Sequence, residues 1–315
     1  MAVVLILVLV MLYSGLRILE STVLFQGQEQ EDSAESRTIV RNGIAYYPRQ
    51  DIRVMMVLGI DETGPVTPSD SYNNTGEADM VALVIFDEKN ETIDVLALNR
   101  DTMLEMPVLG LGGKPAGTSF GQLALSHTYG SGLGDSCENT RSAISSFLNG
   151  ITIDYYVSMN MDAIVIVNDA VGGVTVNVTE DFSDVDPTIG QGQVTLKGEQ
   201  AINYVRVRKD VGDQKNISRM ERQKEYMLGF LKAIRQFSQD ETFILETYEQ
   251  VEPYIVTDCT AKSLSSMLSR YEDYTMDRIL TPEGENRMGS QYYEFYPDEE
   301  KLDALILELF YAPKN

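Results

Sequence analysis

Three short apolar runs constrain this chain more than any other feature. They span residues 54–60, 80–86 and 93–98, and their length and branched side chains are typical of buried β-strands. A hairpin-like turn at residues 87–90 joins the second run to the third. Downstream, helical and strand patterns alternate, so the sequence predicts an α/β fold, a single α-β-α domain with a central mixed sheet. The further predicted helices lie at 138–148, 161–170 and 198–205 and after Ser218, and the further strands at 153–159, 174–178 and 292–296.

The first sixteen residues, MAVVLILVLVMLYSGL, are almost entirely apolar. A run of this kind at the N-terminus is typical of a membrane segment. No small-residue cleavage site of the A-x-A kind follows, which favours an uncleaved anchor over a removed signal peptide. We therefore predict a transmembrane signal anchor at residues 1–19. A polar, charge-mixed stalk is predicted at 20–50, and the folded domain at 51–315.

The chain is strongly acidic, with 25 Lys and Arg against 48 Asp and Glu and a formal net charge of -23. This balance argues against nucleic acid as a partner and against a general anionic-membrane surface, because both require a basic face. Any anion site must then be a local concentration of cations. One such concentration exists between residues 204 and 225. Its basic residues are Arg206, Arg208, Lys209, Lys215, Arg219, Arg222 and Lys224.

Part of this basic segment lies at the start of the predicted long helix, where Ser218 and Glu221 form a capping box. Arg219, Arg222 and Gln223 fall at i, i+3 and i+4, so they project from neighbouring positions near the helix N-terminus. Guanidinium groups suit the paired oxygens of phosphate. On spacing alone, an anion site and a solvated helix face with Arg–Glu pairs both remain open.

Acidic residues mark two strand ends. Asp61 directly follows the first apolar run and Asp79 directly precedes the second, while Arg100 and Asp101 close the third. Carboxylates on loops held by a rigid sheet are suited to hard divalent cations. An aspartate at a strand end is also an ordinary loop former, and the sequence pattern leaves this alternative open.

The cysteines and the single histidine limit which disulfides, metal sites and catalytic motifs the chain can form. Cys137 and Cys259 are compatible with one disulfide or with two unrelated buried thiols. No CxxC motif and no Cys/His cluster occurs in the sequence, which argues against a structural zinc site. His127 is the only histidine, and the adjacent Ser126 does not lie in a G-x-S-x-G motif, so we expect His127 to be structural.

Six strings in order resemble the LytR-CpsA-Psr family, over roughly residues 53–237. The resemblance makes 53–237 the motif core of the domain and 238–315 a C-terminal extension, which we expect to pack on the core. The strings are VLGID (57–61), GEADMVALVIF (76–86), ALNRDT (97–102), TIDYYVSMNMDAIVIVNDAVGGVTV (152–176), LKGEQAINYVRVRK (196–209) and ISRMERQ (217–223).

The resemblance implies a membrane-anchored, single-pass phosphotransferase whose catalytic domain is extracytoplasmic. Its substrate would be a glycopolymer linked to polyprenyl pyrophosphate, which is moved to peptidoglycan, at the 6-hydroxyl of N-acetylmuramic acid, with Mg²⁺ as cofactor. Matched motif positions imply the following roles: metal ligands at Asp61 and Asp79; pyrophosphate contacts at Arg100, Arg206, Arg208, Arg219 and Gln223; and a positioning or acid–base role for Asp101.

The sequence departs from the family pattern at several positions. Glu77 stands where an arginine is frequent, and Asn216 stands where an aspartate is usual, so Asp213 or Asp210 is the candidate for the missing carboxylate. Gln122 and Ala124 replace a common Lys and Asn. Two other functions remain open: a hydrolase that uses the same site with water as acceptor, and a non-catalytic protein that binds the wall or a polysaccharide.

The arginine pattern also predicts local geometry. Arg206 and Arg208 alternate by two, which places them on one face only in an extended segment. We therefore expect the chain to leave its helix before Arg206 and to bring both side chains towards Arg100 and Arg219. Four converging arginines repel one another, so we expect the empty pocket to require an anion. We also expect Asp79→Ala to remove activity with little effect on stability.

Overall fold

The structure, a computed structural model, describes residues 38–71, 73–110, 113–207, 211–212, 216–237, 241–259, 267, 270–271 and 273–313. The predicted anchor at residues 1–19 and most of the predicted stalk lie outside these ranges. Arg208, Asp210 and Asp213 also lie outside them. Within the described ranges, no helix is both long enough and apolar enough to cross a membrane.

The described elements are numbered here in chain order. The strands are β1 (Ile39–Arg41), β2 (Ile44–Pro48), β3 (Ile52–Ile60), β4 (Ala78–Asp87), β5 (Thr92–Leu98), β6 (Met103–Leu109), β7 (Pro115–Gln122), β8 (Tyr155–Met159), β9 (Val174–Val178), β10 (Gly192–Leu196), β11 (Ile255–Thr257), β12 (Thr275–Leu280), β13 (Gly284–Met288), β14 (Tyr293–Pro297) and β15 (Tyr311–Pro313). The α-helices are α1 (Gly134–Phe147), α2 (Met161–Ala170), α3 (Glu199–Arg206), α4 (Asn216–Ile234), α5 (Glu241–Val251) and α6 (Glu299–Phe310).

A six-stranded sheet with the order β11-β8-β3-β4-β5-β12 forms the middle layer. β4 pairs antiparallel with both β3 and β5. β8 pairs parallel with β3, and β12 pairs parallel with β5, so the sheet is mixed, as predicted. The three apolar runs at residues 54–60, 80–86 and 93–98 lie in β3, β4 and β5, at the centre of the sheet.

Each central strand is buried on both faces, which explains why its sequence is continuously apolar rather than alternating. On one face, Met55, Val57 and Val84 pack against α2, α3 and α4. On the other face, Met56 and Leu83 pack against α1 and α6. The predicted α-β-α arrangement is therefore confirmed.

The N-terminal part of the fold differs from the predicted stalk at residues 20–50. Residues 39–48 form β1 and β2, and β2 pairs antiparallel with β15 at the other end of the chain. These strands are short and only partly buried, so their local composition resembles a linker. Their order depends on a partner that is remote in sequence, and such pairing leaves no local signal.

Two helix boundaries near the basic segment also differ from prediction. α3 continues through Arg206, and only at Val207 does the backbone become extended. The expectation that the helix ends before Arg206 is therefore wrong. The long helix begins at Asn216 rather than after Ser218. Two antiparallel hairpins, β6–β7 and β13–β14, were not predicted.

Candidate active site

The position of Asp79 follows from an irregularity in the β3–β4 ladder. Gly59 pairs with Met80, whereas Ile60 pairs with Ala78, which makes Asp79 the additional residue of a β-bulge. A bulge redirects the side chain of its additional residue relative to the regular pleat. The Asp79 side chain consequently lines a pocket between the sheet and α4, although Asp79 is only 8% exposed.

Two arginines hold the Asp79 carboxylate inside the protein. Arg219, on α4 and 2% exposed, places Nη1 2.7 Å from Asp79 Oδ2. Arg100, which follows β5, donates to the other oxygen of Asp79 and to the carboxylate of Glu77. Burial opposes the charged form of Arg100, but the charges of Asp79, Glu77 and Asp101 raise its pKa above the ordinary value. Arg100 is therefore charged near neutral pH.

Asp61 and Arg206 form a second ion pair, at the rim of the same pocket. Nη2 of Arg206 lies 2.8 Å from Oδ1 of Asp61, and both side chains are partly exposed. The N–H of Asp61 donates to the carbonyl of Glu77 at 3.0 Å, which ties Asp61 to the segment that carries Asp79. Asp61, which follows β3, and Asp79, near the start of β4, thus lie at the same end of these two neighbouring strands.

Gln223 and Arg222, which are adjacent in sequence, have different surroundings. Gln223 lines the pocket, and its Nε2 donates to the carbonyl of Val205 at 3.1 Å. Arg222 instead pairs with Glu180 and donates to backbone carbonyls at the end of α3. Arg219 and Gln223 thus line the same pocket, whereas Arg222 serves the packing of α3 on α4.

Asp101 faces the hairpins rather than the pocket. Its Oδ1 accepts a hydrogen bond from Nε2 of Gln122 at 3.1 Å, and its carbonyl accepts one from the N–H of Phe295 at 2.8 Å. Its own N–H donates to Oδ1 of Asn99. Gln122, which the sequence marked only as a departure from the family pattern, therefore contacts a candidate catalytic residue.

The pocket continues inward as an apolar groove. Its space is about 1150 Å³, part of it open to solvent. The polar groups Asp79, Arg100, Arg206, Arg219 and Gln223 share its lining with many apolar side chains. From Asp79 to Val84 the groove follows β4, a distance of about 17 Å at the rise of an extended strand. Its apolar lining includes Met80, Ala82, Val84, Val95, Ala97, Met159, Ile164, Val167, Tyr226, Met227 and Ile279.

The expected excess of positive charge in the pocket is not observed for the described residues. Arg206 is paired with Asp61, and Arg100 and Arg219 share Asp79. Glu77 adds a further negative charge beside Arg100. The chain's own carboxylates thus offset the mutual repulsion of the three described arginines, and the expectation that the empty pocket holds an anion stays a prediction.

Cys137 and Cys259 are both free thiols, so the disulfide alternative is wrong. Cys137 is fully buried in α1, and Cys259 is partly buried beyond β11. His127 is buried as expected for a structural residue, and its Nδ1 lies 2.8 Å from the carbonyl of Gly76. Burial lowers the pKa of His127 below its ordinary value.

Comparisons with known proteins agree with this architecture. The sequence profile of the LytR_cpsA_psr family matches residues 21–310. A polyisoprenyl-teichoic acid–peptidoglycan teichoic acid transferase, TagU of Bacillus subtilis strain 168, is 26% identical over 264 residues, which cover 83% of this chain and 78% of TagU.

Two solved structures share the fold. TagT bound to LIIa-WTA superposes with a TM-score of 0.63 at 23% identity, covering 82% of this chain and 90% of TagT. TagV of B. subtilis superposes with a TM-score of 0.62 at 23% identity, covering 83% of this chain and 96% of TagV.

Proposed function

Because the chain belongs to the LytR_cpsA_psr family, we propose that it transfers a glycopolymer from a polyprenyl-pyrophosphate carrier to peptidoglycan. The observation that carries this proposal is the joining of an apolar groove to an arginine cluster within one pocket. A lipid pyrophosphate has the same two parts, an apolar chain and a compact anion. The similarity to TagU, which is named a teichoic acid transferase, supports teichoic acid or a related wall polymer as the glycan.

The groove suits the lipid part of the donor. Met80, Ala82 and Val84 lie on one face of β4 and present an unbroken apolar wall along it. Each methylene that leaves water for such a wall contributes roughly 0.8 kcal/mol. A groove of about 17 Å along the strand accommodates several isoprene units. The carrier would lie with its chain towards Val84 and its pyrophosphate at Asp79 and Arg100.

The arginines suit the pyrophosphate. Arg219 and Arg100 are held in place by Asp79, so their guanidinium groups are fixed in the pocket before a substrate arrives. Arg206 lies at the rim of the pocket, where a side-chain movement is enough to replace its partner Asp61 with a substrate oxygen. Gln223 adds an amide beside them. Arg208, outside the described residues, keeps its proposed place in this set.

The reaction we propose is one substitution at phosphorus. The 6-hydroxyl oxygen of N-acetylmuramic acid bonds to the phosphorus that carries the glycan, the bond to the bridging oxygen breaks, and polyprenyl monophosphate leaves. Phosphoryl transfer of this kind depends mainly on positioning and on neutralisation of charge. Arg100 and Arg219 supply the charge. Asp101, one residue after Arg100, orients that arginine at 3.6 Å and is the proposed acceptor of the hydroxyl proton.

Asp61 and Asp79 are the proposed ligands of Mg²⁺. The described residues contain no preformed cluster of three or more acidic, His or Cys side chains that could hold a metal ion. Two carboxylates at one sheet edge nevertheless fit this ion, which is commonly held by one or two carboxylates together with substrate phosphates and water. Bound Mg²⁺ would neutralise the charge that develops on the pyrophosphate.

We also propose that the protein is a single-pass protein of the cell membrane, anchored by residues 1–19, with its folded domain outside the cytoplasm. Protease applied to intact cells should cut the folded domain, and complete protection would contradict this topology.

Transfer is tested with purified protein, a polyprenyl-pyrophosphate-linked glycan and peptidoglycan oligomers. Mass spectrometry should find the glycan joined to the oligomer through a phosphodiester, with polyprenyl monophosphate released. Arg206→Lys and Arg219→Lys keep the charge but lose the two-pronged contact with phosphate. Each should reduce transfer about tenfold or more, whereas Arg270→Lys, on an exposed arginine paired with Glu88, should not. Release of free glycan phosphate without joined product would instead show that the acceptor is water and that the protein is a hydrolase.

A further inference from the structure

The strongly exposed aromatic side chains of the described residues are confined to two hairpins. They are Phe120 on β7, Tyr293 on β14, and Tyr292 in the turn before it, with exposures of 59%, 46% and 68%. Met288, also strongly exposed, lies directly opposite Tyr293 in the hairpin pairing. Contiguous exposed apolar surface on a soluble domain is characteristic of a binding site.

Both hairpins are fastened to Asp101. The N–H of Phe295 donates to the carbonyl of Asp101 at 2.8 Å, and the Phe295 side chain is buried. Gln122 joins the hairpins to each other, because its Nε2 donates both to Oδ1 of Asp101 at 3.1 Å and to the carbonyl of Tyr293 at 2.7 Å. The exposed aromatic residues are thus presented by backbone that is hydrogen-bonded to the active site.

The position of the aromatic residues along their strands brings them close to the reaction centre. Tyr293 precedes Phe295 by two residues, which is about 7 Å along a strand. Phe120 precedes Gln122 by the same step and lies on the same face of β7. Tyr293 and Phe120 thus each lie one such step from a residue that is hydrogen-bonded to Asp101.

The side chains of Arg100 and Asp101 face two different sides of the site. The Arg100 side chain lines the apolar groove, whereas Asp101 contacts Gln122 and β14. If the donor lipid occupies the groove, the acceptor must approach from the other side, since attack at phosphorus occurs opposite the leaving group. The hairpins lie on that side.

We propose that Phe120, Tyr292 and Tyr293 form an acceptor platform that binds the glycan strand of peptidoglycan. The inference rests on the transfer function proposed above and identifies where its second substrate binds. One face of a pyranose ring consists of C–H groups, which pack on an aromatic face through dispersion and weak C–H···π contacts. A tyrosine adds a hydroxyl that can exchange hydrogen bonds with sugar hydroxyls or N-acetyl groups.

The charges around the platform favour a neutral sugar surface over an anionic lipid surface. Glu105 pairs with Phe120 across the β6–β7 hairpin, and Glu285 and Glu294 lie on the β13–β14 hairpin. Glu105 and Glu285 are exposed. A surface that docks on anionic headgroups carries Lys and Arg instead. Arg287 packs over Tyr296, 4.8 Å from the ring centroid, and pairs with Glu285.

Direct binding tests the platform. The full chain in detergent is titrated with short glycan oligomers of alternating N-acetylglucosamine and N-acetylmuramic acid, whose lactyl carboxyl groups are capped as amides so that the probe is neutral. Phe120→Ala, Tyr292→Ala and Tyr293→Ala should weaken binding, and the triple variant should lose about tenfold or more in affinity. Tyr292→Phe and Tyr293→Phe, which keep the rings, should retain most of it. Ile44→Ala is the matched control, because Ile44 is 46% exposed, as is Tyr293, but lies on β2.

Two further readouts separate the platform from the donor site and from other ligands. Binding of inorganic pyrophosphate should be unchanged in the triple variant, since the arginines are untouched. An unchanged glycan affinity in the triple variant, or no glycan binding by the native protein, overturns the proposal. The proposal is also overturned if the triple variant loses binding to anionic phospholipid vesicles rather than binding to glycan. If glycan binding depends on the platform but no glycopolymer transfer is detected, the platform proposal is supported and the proposed transfer function is refuted.

Discussion

Arg219 Nη1 and Asp79 Oδ2 lie 2.7 Å apart, and each side chain is more than nine-tenths buried, although the two residues come from α4 and from a bulge in the central sheet. The pair therefore joins the helix that carries the proposed pyrophosphate contacts to the strand that carries a proposed metal ligand. A change at either residue affects both the fold and the site.

Asp79→Ala should destabilise the protein. The change leaves Arg100 and Arg219 buried without their shared counter-charge, and breaking a buried pair of this kind costs roughly 3–5 kcal/mol. Urea unfolding should show the loss. Asp184→Ala, at an exposed carboxylate, should change the free energy of unfolding by less than about 0.5 kcal/mol. This outcome would contradict the expectation from sequence that Asp79→Ala leaves stability almost unchanged, and equal stabilities of the two variants would refute our reading of the buried pair.

Arg222→Lys should reduce stability more than it reduces pyrophosphate binding. Arg222 pairs with Glu180, donates to the carbonyls of Tyr204 and Val207, and packs over the ring of Phe182. Lysine cannot supply these donors in one plane, and each lost charged hydrogen bond costs roughly 1.5–3 kcal/mol. Thermal unfolding measures the loss, with Arg270→Lys as the exposed control. A variant of native stability with weakened pyrophosphate binding would assign Arg222 to the anion site instead.

Acidification should destabilise the protein through His127. Burial lowers the pKa of His127 in the folded state, whereas the unfolded chain takes up the proton at about pH 6.5. The unfolded state then binds more protons, so the contribution is lost as the pH falls through about 6.5 towards the lower folded value.

His127→Gln removes this titration. Between about pH 7 and pH 5, its free energy of unfolding should fall less than that of the native protein. Other titrating groups are present in both proteins and cancel in the comparison. Parallel stability curves for the two proteins would show that His127 does not titrate in this window.

Both cysteines should resist alkylation in the folded protein. Burial raises the pKa of Cys137 well above its ordinary value, and burial likewise raises the pKa of Cys259 to about 12. The reactive thiolate is therefore scarce at mildly alkaline pH. Iodoacetamide should modify both residues only after unfolding, and a reducing agent should leave the melting temperature unchanged. Rapid modification of Cys137 in the native protein would contradict its burial.

The sequence predicted best what depends on local pattern. β3, β4 and β5 can be recognised in the sequence from their apolar content. α2 lies at the predicted residues 161–170, because Asn160 caps its first turn and a Gly-Gly pair follows it. Their order in a mixed sheet then brings Asp61, Asp79 and Arg100 to one edge, which the motif strings also implied.

What the sequence could not predict depends on exact register or on remote partners. The bulge that redirects Asp79 adds one residue to an otherwise regular strand, and nothing in the string GEADMVALVIF distinguishes that residue. The contact of Gln122 with Asp101 and with β14 joins segments far apart in the chain. Such pairings have no local signature, so the hairpins beside the site became visible only in the fold.

The pairing of β15 with β2 has a mechanical consequence. β1 and β15 both run antiparallel to β2, so the chain enters Ile39 from the Pro48 end of β2 and leaves Pro313 towards the Ile44 end. The two outer ends of this small sheet therefore point to opposite ends of β2. Tension applied between the two ends would load the hydrogen bonds all together in shear, rather than one after another as in unzipping. Under such a pull, β1 and β15 would resist detachment from β2 and so shield the six-stranded sheet and its arginine pocket from the force.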